Sequence, residues 1–307
     1  MSTALDAASR VGLGVPRRRE NFPLAFLCPP AVRVARQAVY GYCRLVDDLG
    51  DEYAGDRLAA LDAAEVEVRA AARGTAAHPV FVALQPVFAA GMPVDPFLRL
   101  LEANRQDQRV VSYASWDEVD AYCALSAAPV GEMVLRLEGL ATAPRLALSA
   151  QLCAGLQLAN HWQDLHEDAQ RGRCYVPAEV LGRHGVTVAA LASGRAEAEF
   201  LPMLAECLAA ARERLRSGWP LAASLHGRMR AEIAGFAAHG AAACDAVERA
   251  GASVLRSRPS AGTRGRATAT MTALRALVAP APLPRSLASR ERYPQSATPA
   301  RSQRQPR

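Results

Sequence analysis

The chain has 307 residues, of which half are hydrophobic and only 6 % are aromatic, so it is long enough for one large domain or two small ones. Every basic residue is an arginine, and six of them lie with a single acid in residues 280–307, which leaves thirty arginines against twenty-nine acids elsewhere. A nearly neutral body does not favour nucleic-acid binding, which requires a basic face on the folded domain.

Cysteine content and hydropathy indicate the compartment in which the protein is expected. The seven cysteines are irregularly spaced and form no CxxC pair, which is typical of free thiols in a reducing compartment. No stretch approaches ~18 consecutive apolar residues and no secretory signal is seen, so neither a membrane span nor export is predicted. The sequence therefore predicts a cytoplasmic protein. Peripheral contact of its basic C-terminal end with the inner membrane face stays open.

Helical patterns predominate, and no sustained alternation of strand type is found. Residues 1–20 are predicted to be disordered, residues 21–279 to form one all-α domain, and residues 280–307, rich in Pro, Ser and Arg, to form a disordered tail. In the first half, helices are expected at about 30–53, 57–73, 78–90 and 95–105. Gly74 is expected to cap the second of them.

The second half continues the helical pattern. Ser115 and Glu118 form a capping box that starts a helix running towards Gly139, and Pro129 and Gly131 are expected to kink that helix. A long helix is expected at 146–170, followed by a loop around 175–177 and a short helix at 178–181. Further helices are expected at 197–217, 220–238, 241–255 and 268–278.

One predicted helix carries a polar stripe that contains closely spaced acids. Asp47 and Asp51 are four residues apart, so on a helix they project from the same face and repel each other. Taken alone, the stripe fits a solvated helix face with Arg–Asp pairs. Its members recur every three to four positions between largely apolar residues, and they are Arg36, Tyr40, Arg44, Asp47, Asp48 and Asp51.

A second stripe lies on the long helix predicted at 146–170. Asp164 and Asp168 repeat the four-residue spacing, and the amide side chains that precede them stand among leucines and a tryptophan. Amides in such apolar surroundings indicate a polar stripe that faces a cavity, although a satisfied buried hydrogen-bond network is an equal alternative. The stripe comprises Gln157, Asn160, Asp164 and Asp168, with Gln163 just beside it.

The two stripes together predict a specific chemistry. Mg²⁺ prefers oxygen ligands, takes one or two carboxylates and bridges to substrate phosphates. Two carboxylate helices facing one cavity could hold such ions on a diphosphate, and Arg44 together with Arg171 or Arg173 could add bidentate phosphate contacts. We therefore expect metal-assisted ionisation of a carbon–oxygen bond beside an apolar cavity.

These motifs resemble those of the squalene/phytoene synthases, which are head-to-head prenyltransferases. The similarity extends over about residues 20–278 and rests on residues 40–52, 122–131 and 157–177. Within the family, residues 20–23, residues 126–131 and the Trp162–Gln163 pair resemble the HpnC-type branch of hopanoid biosynthesis. Many relatives have Leu-Arg where this chain has Trp162 and Gln163.

The resemblance implies an all-α isoprenoid synthase fold, a helical bundle with a central cavity, and Mg²⁺ as the cofactor. It places the ring of Tyr122 near the reacting carbons, where it could stabilise a carbocation, although a core aromatic is the simpler alternative. It assigns metal binding to Asp47, Asp48, Asp51, Asp164 and Asp168, substrate binding to Phe22, Arg44, Asn160, Gln163 and Arg171, and the reacting end of the cavity to Tyr40, Tyr122 and Gln157.

The resemblance also implies a reaction. The HpnC-type branch ionises presqualene diphosphate and lets water trap the rearranged cation as hydroxysqualene; a partner synthase supplies the substrate from farnesyl diphosphate, and a flavin-dependent enzyme reduces the product to squalene. Gln163 removes a cation near the diphosphate and so favours this second half-reaction. Two alternatives stay open: condensation of farnesyl or geranylgeranyl diphosphate, as in presqualene diphosphate or phytoene synthases, and a non-catalytic assembly role. No Gly-rich nucleotide loop is seen, and NADPH use is left undecided.

Overall fold

The protein, seen here as a computed structural model, is described over residues 29–196, 198–280 and 282–288. Within these ranges it consists of helices and loops without a β-strand, apart from an isolated bridge between Ser112 and Cys174. The all-α prediction is confirmed. The helices of the first half are α1 (Pro30–Asp51), α2 (Arg57–Ala72), α3 (Pro79–Val82), α4 (Gln85–Ala89), α5 (Asp95–Gln106), α6 (Trp116–Ser126) and α7 (Ala128–Leu137).

The second half contains the longest helices. α8 runs through the centre of the larger apolar cluster, flanked by α11 and α13. The elements are α8 (Ala143–Gln170), α9 (Ala178–His184), α10 (Val188–Ala192), α11 (Phe200–Gly218), α12 (Pro220–Ala223), α13 (Gly227–Ala250), a 3-10 helix (Gly251–Leu255), α14 (Gly262–Val278) and α15 (Arg285–Ala288).

Prolines divide two of the predicted helices. The helix expected at 78–90 is two short helices, because Pro79 and Pro86 each occupy a first turn and cannot continue a preceding helix. The helix expected from Ser115 to Gly139 is likewise interrupted at Ala127, and Pro129 starts α7. The cap itself is confirmed, since the Ser115 hydroxyl accepts a hydrogen bond from the Glu118 amide.

The break predicted between the helices at 220–238 and 241–255 is wrong. α13 continues unbroken through Gly240, where helices at 220–238 and 241–255 were expected. A Cβ at this position would lie 2.7 Å from Leu156 and 3.0 Å from Leu215, so the glycine serves the close approach of α13 to α8 and α11. The same packing continues where Gly218 of α11 lies against the backbone of Leu152. The extent of α13 therefore depends on contacts between helices, which a local sequence pattern does not reveal.

α1 belongs to the smaller of two buried clusters. Its apolar face, which includes Tyr42 and Leu49, packs on α2, α3, α5 and α7 and forms the smaller buried cluster. Its backbone makes no comparable approach to α8 or α13 in the described part of the chain. The polar stripe of α1 therefore lies outside the apolar face that this cluster covers.

Buried ion pairs join the first half of α1 to α13. Arg36 of α1 contacts Glu232 of α13 at 2.6 Å and Glu138 at 2.7 Å, and Arg228 contacts both acids. We call these four residues the buried tetrad. Arg36 and Asp47 are eleven residues apart on one helix, so about 16 Å separates the tetrad from the acidic end.

The chain ends remain partly outside the described residues. The disorder predicted for residues 1–20 and 289–307 falls there. Residues 282–288, which were assigned to the disordered tail, are described, and Leu287 is fully buried with its carbonyl accepting a hydrogen bond from Arg216 at 2.7 Å. The packed body therefore extends beyond residue 280. No described helix is both long enough and apolar enough to cross a membrane.

Candidate active site

The acids at the end of α1 stand in an electrostatically strained arrangement. The Asp47 side chain touches solvent, but the protein packed around it limits its hydration. This partial loss of solvation, together with the Asp51 carboxylate one turn away, raises the pKa of Asp47 to about 7. Arg44 opposes this effect only in part. A cation shared with Asp51 would relieve the strain.

Asp48 lies on a different ridge of α1. It is 4 % exposed and pairs with Arg44 one turn earlier, which also lies 3.6 Å from Glu52. The structure thus turns the Asp48 carboxylate away from the Asp47–Asp51 face, although all were predicted to form one stripe, whereas Arg44 stays close enough to Asp47 to act on its pKa. The reason is the 100° rotation per residue of a helix, which sets adjacent aspartates on neighbouring ridges. Tyr40, further along the stripe, is 36 % exposed.

The two acids of α8 have different partners, one from a distant loop and one from α8 itself. Asp164 receives two hydrogen bonds from the Arg258 guanidinium, the longer of them 3.0 Å. Beside it, the buried Gln163 donates its amide to the Pro259 carbonyl at 2.8 Å. Gln163 is thus engaged with the loop that carries Arg258. Asp168, one turn on, lies 3.9 Å from His161 on the same side of the helix.

A compact aromatic cluster lies next to the second stripe. The His161 ring stacks on Tyr175 at a centroid distance of 3.6 Å and lies 3.3 Å from the Gln157 amide nitrogen. Tyr122 and Tyr175 both donate hydroxyl hydrogen bonds to Asp107, at 2.8 and 3.2 Å. Burial raises the pKa of Tyr122 well above its usual range, so it remains a neutral donor. The ring of Tyr122 is therefore fixed in place.

Arg173 joins the two stripes. It lies just after α8, where its backbone amide donates to the Asp168 carbonyl at 2.8 Å, and its guanidinium donates to the Asp51 carboxylate at 2.9 Å. Asp107 is close enough to interact electrostatically with Arg173, Asp47 and Asp51, and burial raises its pKa. The ends of α1 and α8 therefore meet at one charged centre, opposite the buried tetrad.

The donor set fits Mg²⁺ bound together with a substrate. No group of three or more acidic, His or Cys side chains within the described ranges is arranged to hold a metal ion by itself. Mg²⁺ usually binds through one or two carboxylates, waters and substrate phosphates, so a complete protein cage is not needed. The Asp47–Asp51 pair would supply oxygen ligands of that kind, with Asp51 also paired with Arg173 and the neighbouring Asp48 paired with Arg44.

Comparison with known proteins identifies the family. The squalene/phytoene synthase family matches residues 15–265, which is most of the chain. The chain belongs to this family. Hydroxysqualene synthase of Rhodopseudomonas palustris is 36 % identical over 227 residues, covering 72 % of this chain and 76 % of that protein. Presqualene diphosphate synthase of Zymomonas mobilis is 31 % identical over a shorter region, 52 % of this chain and 56 % of its own length.

Solved structures agree with the family assignment. Squalene synthase HpnC from Alicyclobacillus acidocaldarius is 38 % identical and superposes with a TM-score of 0.73 over 81 % of this chain and 94 % of its own. A dehydrosqualene synthase at 22 % identity shares the fold, with a TM-score of 0.75. The expected isoprenoid synthase fold and the assignment to squalene/hydroxysqualene synthase-type prenyltransferases are confirmed.

The family's predicted site residues differ in how they are placed. Asn160 is half-buried on α8 and Arg171 is exposed at its end, while Phe22 lies outside the described residues. Three charged groups of the site were missed by sequence reasoning: Asp107, Arg173 as the link to Asp51, and Arg258. Arg173 was visible beside the second motif, but Asp107 and Arg258 are distant in sequence from both motifs and only folding brings them there.

Proposed function

We propose that this chain is a Mg²⁺-dependent enzyme that converts presqualene diphosphate and water to hydroxysqualene and diphosphate. In this reaction the carbon–oxygen bond to the diphosphate breaks, a water oxygen bonds to the rearranged carbocation, and the water proton is released. The observation that carries the proposal is that Arg173, whose guanidinium pairs with Asp51, is held by its backbone amide to the Asp168 carbonyl, which brings the ends of the two acidic helices to one charged centre.

The diphosphate would occupy this charged end. Asp47, Asp51, Asp164 and Asp168 would hold Mg²⁺, which when bound supplies positive charge to the leaving group. Arg173 adds a fixed guanidinium at the same centre. Arginine is suited to this task because its planar fork matches two phosphate oxygens at once.

The remainder of the site would hold the hydrocarbon chains. Tyr40 would line this part from α1 and Gln157 from α8, with the buried tetrad at its far end. Asp107 fixes the orientation of the Tyr122 ring, which would stabilise a nearby carbocation without reorganising, whereas the ring of Tyr175 is covered by His161. These contacts would exclude bulk water and leave a single water molecule to react.

The contact that Gln163 makes indicates a different role for this residue. Its amide holds the Pro259 carbonyl, so we propose that it positions the Arg258 loop and does not bind substrate directly. Because Arg258 brings a guanidinium to Asp164, the cation that relatives carry beside this aspartate is replaced from another part of the chain. Gln163 therefore gives no independent support for the second half-reaction. That support comes from the longer match to hydroxysqualene synthases.

A second candidate is head-to-head condensation of farnesyl or geranylgeranyl diphosphate. The restored cation beside Asp164 favours it, as does similarity to presqualene diphosphate synthases over about half of this chain. In the leading proposal, a separate synthase would supply presqualene diphosphate and a flavin-dependent enzyme would reduce the alcohol. In the second, this chain would itself consume the allylic diphosphates.

Mass spectrometry of products separates the two. The purified protein is incubated with Mg²⁺ and, in parallel, presqualene, farnesyl or geranylgeranyl diphosphate. Hydroxysqualene from presqualene diphosphate alone supports the leading proposal, and any C30 or C40 product from the allylic diphosphates supports the second. The Asp47→Asn/Asp164→Asn variant should lose activity by orders of magnitude, whereas Asp95→Asn, at an exposed ion pair, should not. Unchanged turnover in the double variant would reject both.

A further inference from the structure

The outer face of α14 has an unusual distribution of side chains. Alanines at 269, 273 and 276 pack inward on α13, whereas Met271, Leu274 and Val278 point outward and are 49 %, 52 % and 86 % exposed. Their spacing of three and four residues places them on a single stripe. A helix that packs through small residues and leaves its large apolar ones outside has a surface suited to a partner.

Positive charge accompanies this stripe. Arg264 and Arg275 flank it on α14, and Arg249 at the end of α13 lies beside them; all three are exposed, and no ion pair links them to an acid in the described ranges. They border a groove of about 600 Å³ that runs along α14, where the single acid, Asp245, is paired with Arg212. From residue 249 to residue 290 the sequence has eight arginines and no acid.

We propose that this face docks on an anionic phospholipid bilayer, with lipid phosphates in the arginine-lined groove and the apolar stripe inserted between the acyl chains. The combination of apolar and basic side chains is what interfacial helices present to anionic membranes. A second copy of the chain is a poorer occupant, because two such faces would bring like charges together. A nucleic acid would leave the stripe uncovered. The proposal is independent of the reaction assigned above.

Vesicle flotation of the full chain tests this surface. Wild-type protein should float with vesicles containing phosphatidylglycerol and much less with pure phosphatidylcholine. Met271→Ser/Leu274→Ser should weaken binding about tenfold or more through lost apolar burial, and Arg264→Glu/Arg275→Glu should do so through lost attraction. Leu201→Ser is the matched apolar control, since Leu201 is 53 % exposed on α11. Arg73→Glu/Arg195→Glu makes the same charge change at exposed sites elsewhere.

Several results would overturn the proposal. These are no flotation of wild-type protein with either vesicle, equal loss in the matched controls, or binding that disappears on deletion of residues 289–307 while both α14 variants bind normally. Competition by inorganic diphosphate without loss in the Met271→Ser/Leu274→Ser variant would indicate a soluble-anion site instead. Concentration-dependent self-association that the α14 variants abolish would assign the face to a second copy. Circular dichroism melting of each variant verifies that it is folded.

Discussion

The buried tetrad should be a critical support of the fold, and Glu232→Gln tests it. The Arg36, Glu138, Arg228 and Glu232 side chains are 10 %, 7 %, 19 % and 2 % exposed, and together they balance two positive charges with two negative ones. Glutamine keeps the size of Glu232 but leaves two buried guanidinium groups with one carboxylate. Removal of one partner from a buried ion pair costs about 3–5 kcal/mol, whereas an exposed pair contributes roughly 0–1 kcal/mol.

Equilibrium unfolding in urea measures the effect. We expect Glu232→Gln to lower the free energy of unfolding by about 3 kcal/mol and the control Asp95→Asn, whose carboxylate is 72 % exposed, by less than about 1 kcal/mol. The double change Arg36→Met/Glu232→Leu should recover part of the loss, because apolar side chains carry no desolvation cost. A loss below about 1 kcal/mol for Glu232→Gln would refute the view that these charges depend on one another.

Three further outcomes follow from the site and its packing. Folding raises the pKa of Asp47 to about 7, so protonation of this carboxyl stabilises the folded state at acidic pH, and this stabilisation is lost as the pH rises through 7. The melting temperature in EDTA should therefore fall from pH 6 to pH 8, and it should fall less in Asp47→Asn. Gly218→Ala should cost about 1–3 kcal/mol, since its Cβ would lie 2.5 Å from the Leu152 nitrogen, whereas Gly182→Ala meets no atom within 4 Å and should be neutral or stabilising by urea unfolding. Arg173→Ala should lower kcat/KM at least about tenfold through the lost charge–phosphate contact, and unchanged kinetics would remove Arg173 from the site.

Much of the site was accessible from the sequence because it is local. Asp47 and Asp51 lie one turn apart on α1, and Asp164 and Asp168 do so on α8, so helical periodicity alone places each pair on a common face. The same periodicity did not predict that Asp48, one residue further round the helix than Asp47, pairs with Arg44. Nor could it decide between a solvated face and a cavity, because both produce an identical pattern.

Tertiary contacts account for what local patterns missed. Gly240 resembles a break but serves a close helix crossing, and Leu287 in a polar, Pro-rich segment is buried against α11. Arg258 reaches Asp164 across 94 residues, so no motif spacing could reveal the pair. Gln163 was expected to mark the loss of a cation, and we propose instead that it positions the loop that carries Arg258.

The sequence by itself determined the helical class, the two acidic faces and the chemistry that oxygen ligands at this spacing favour, because these depend on side-chain type and on the regular geometry of a helix. Only the tertiary structure decided that Arg173 joins the ends of α1 and α8, that the buried tetrad joins α1 to α13, and that α14 leaves an apolar and basic stripe outside. These properties arise from how helices pack, and packing is set by contacts between residues far apart in the chain.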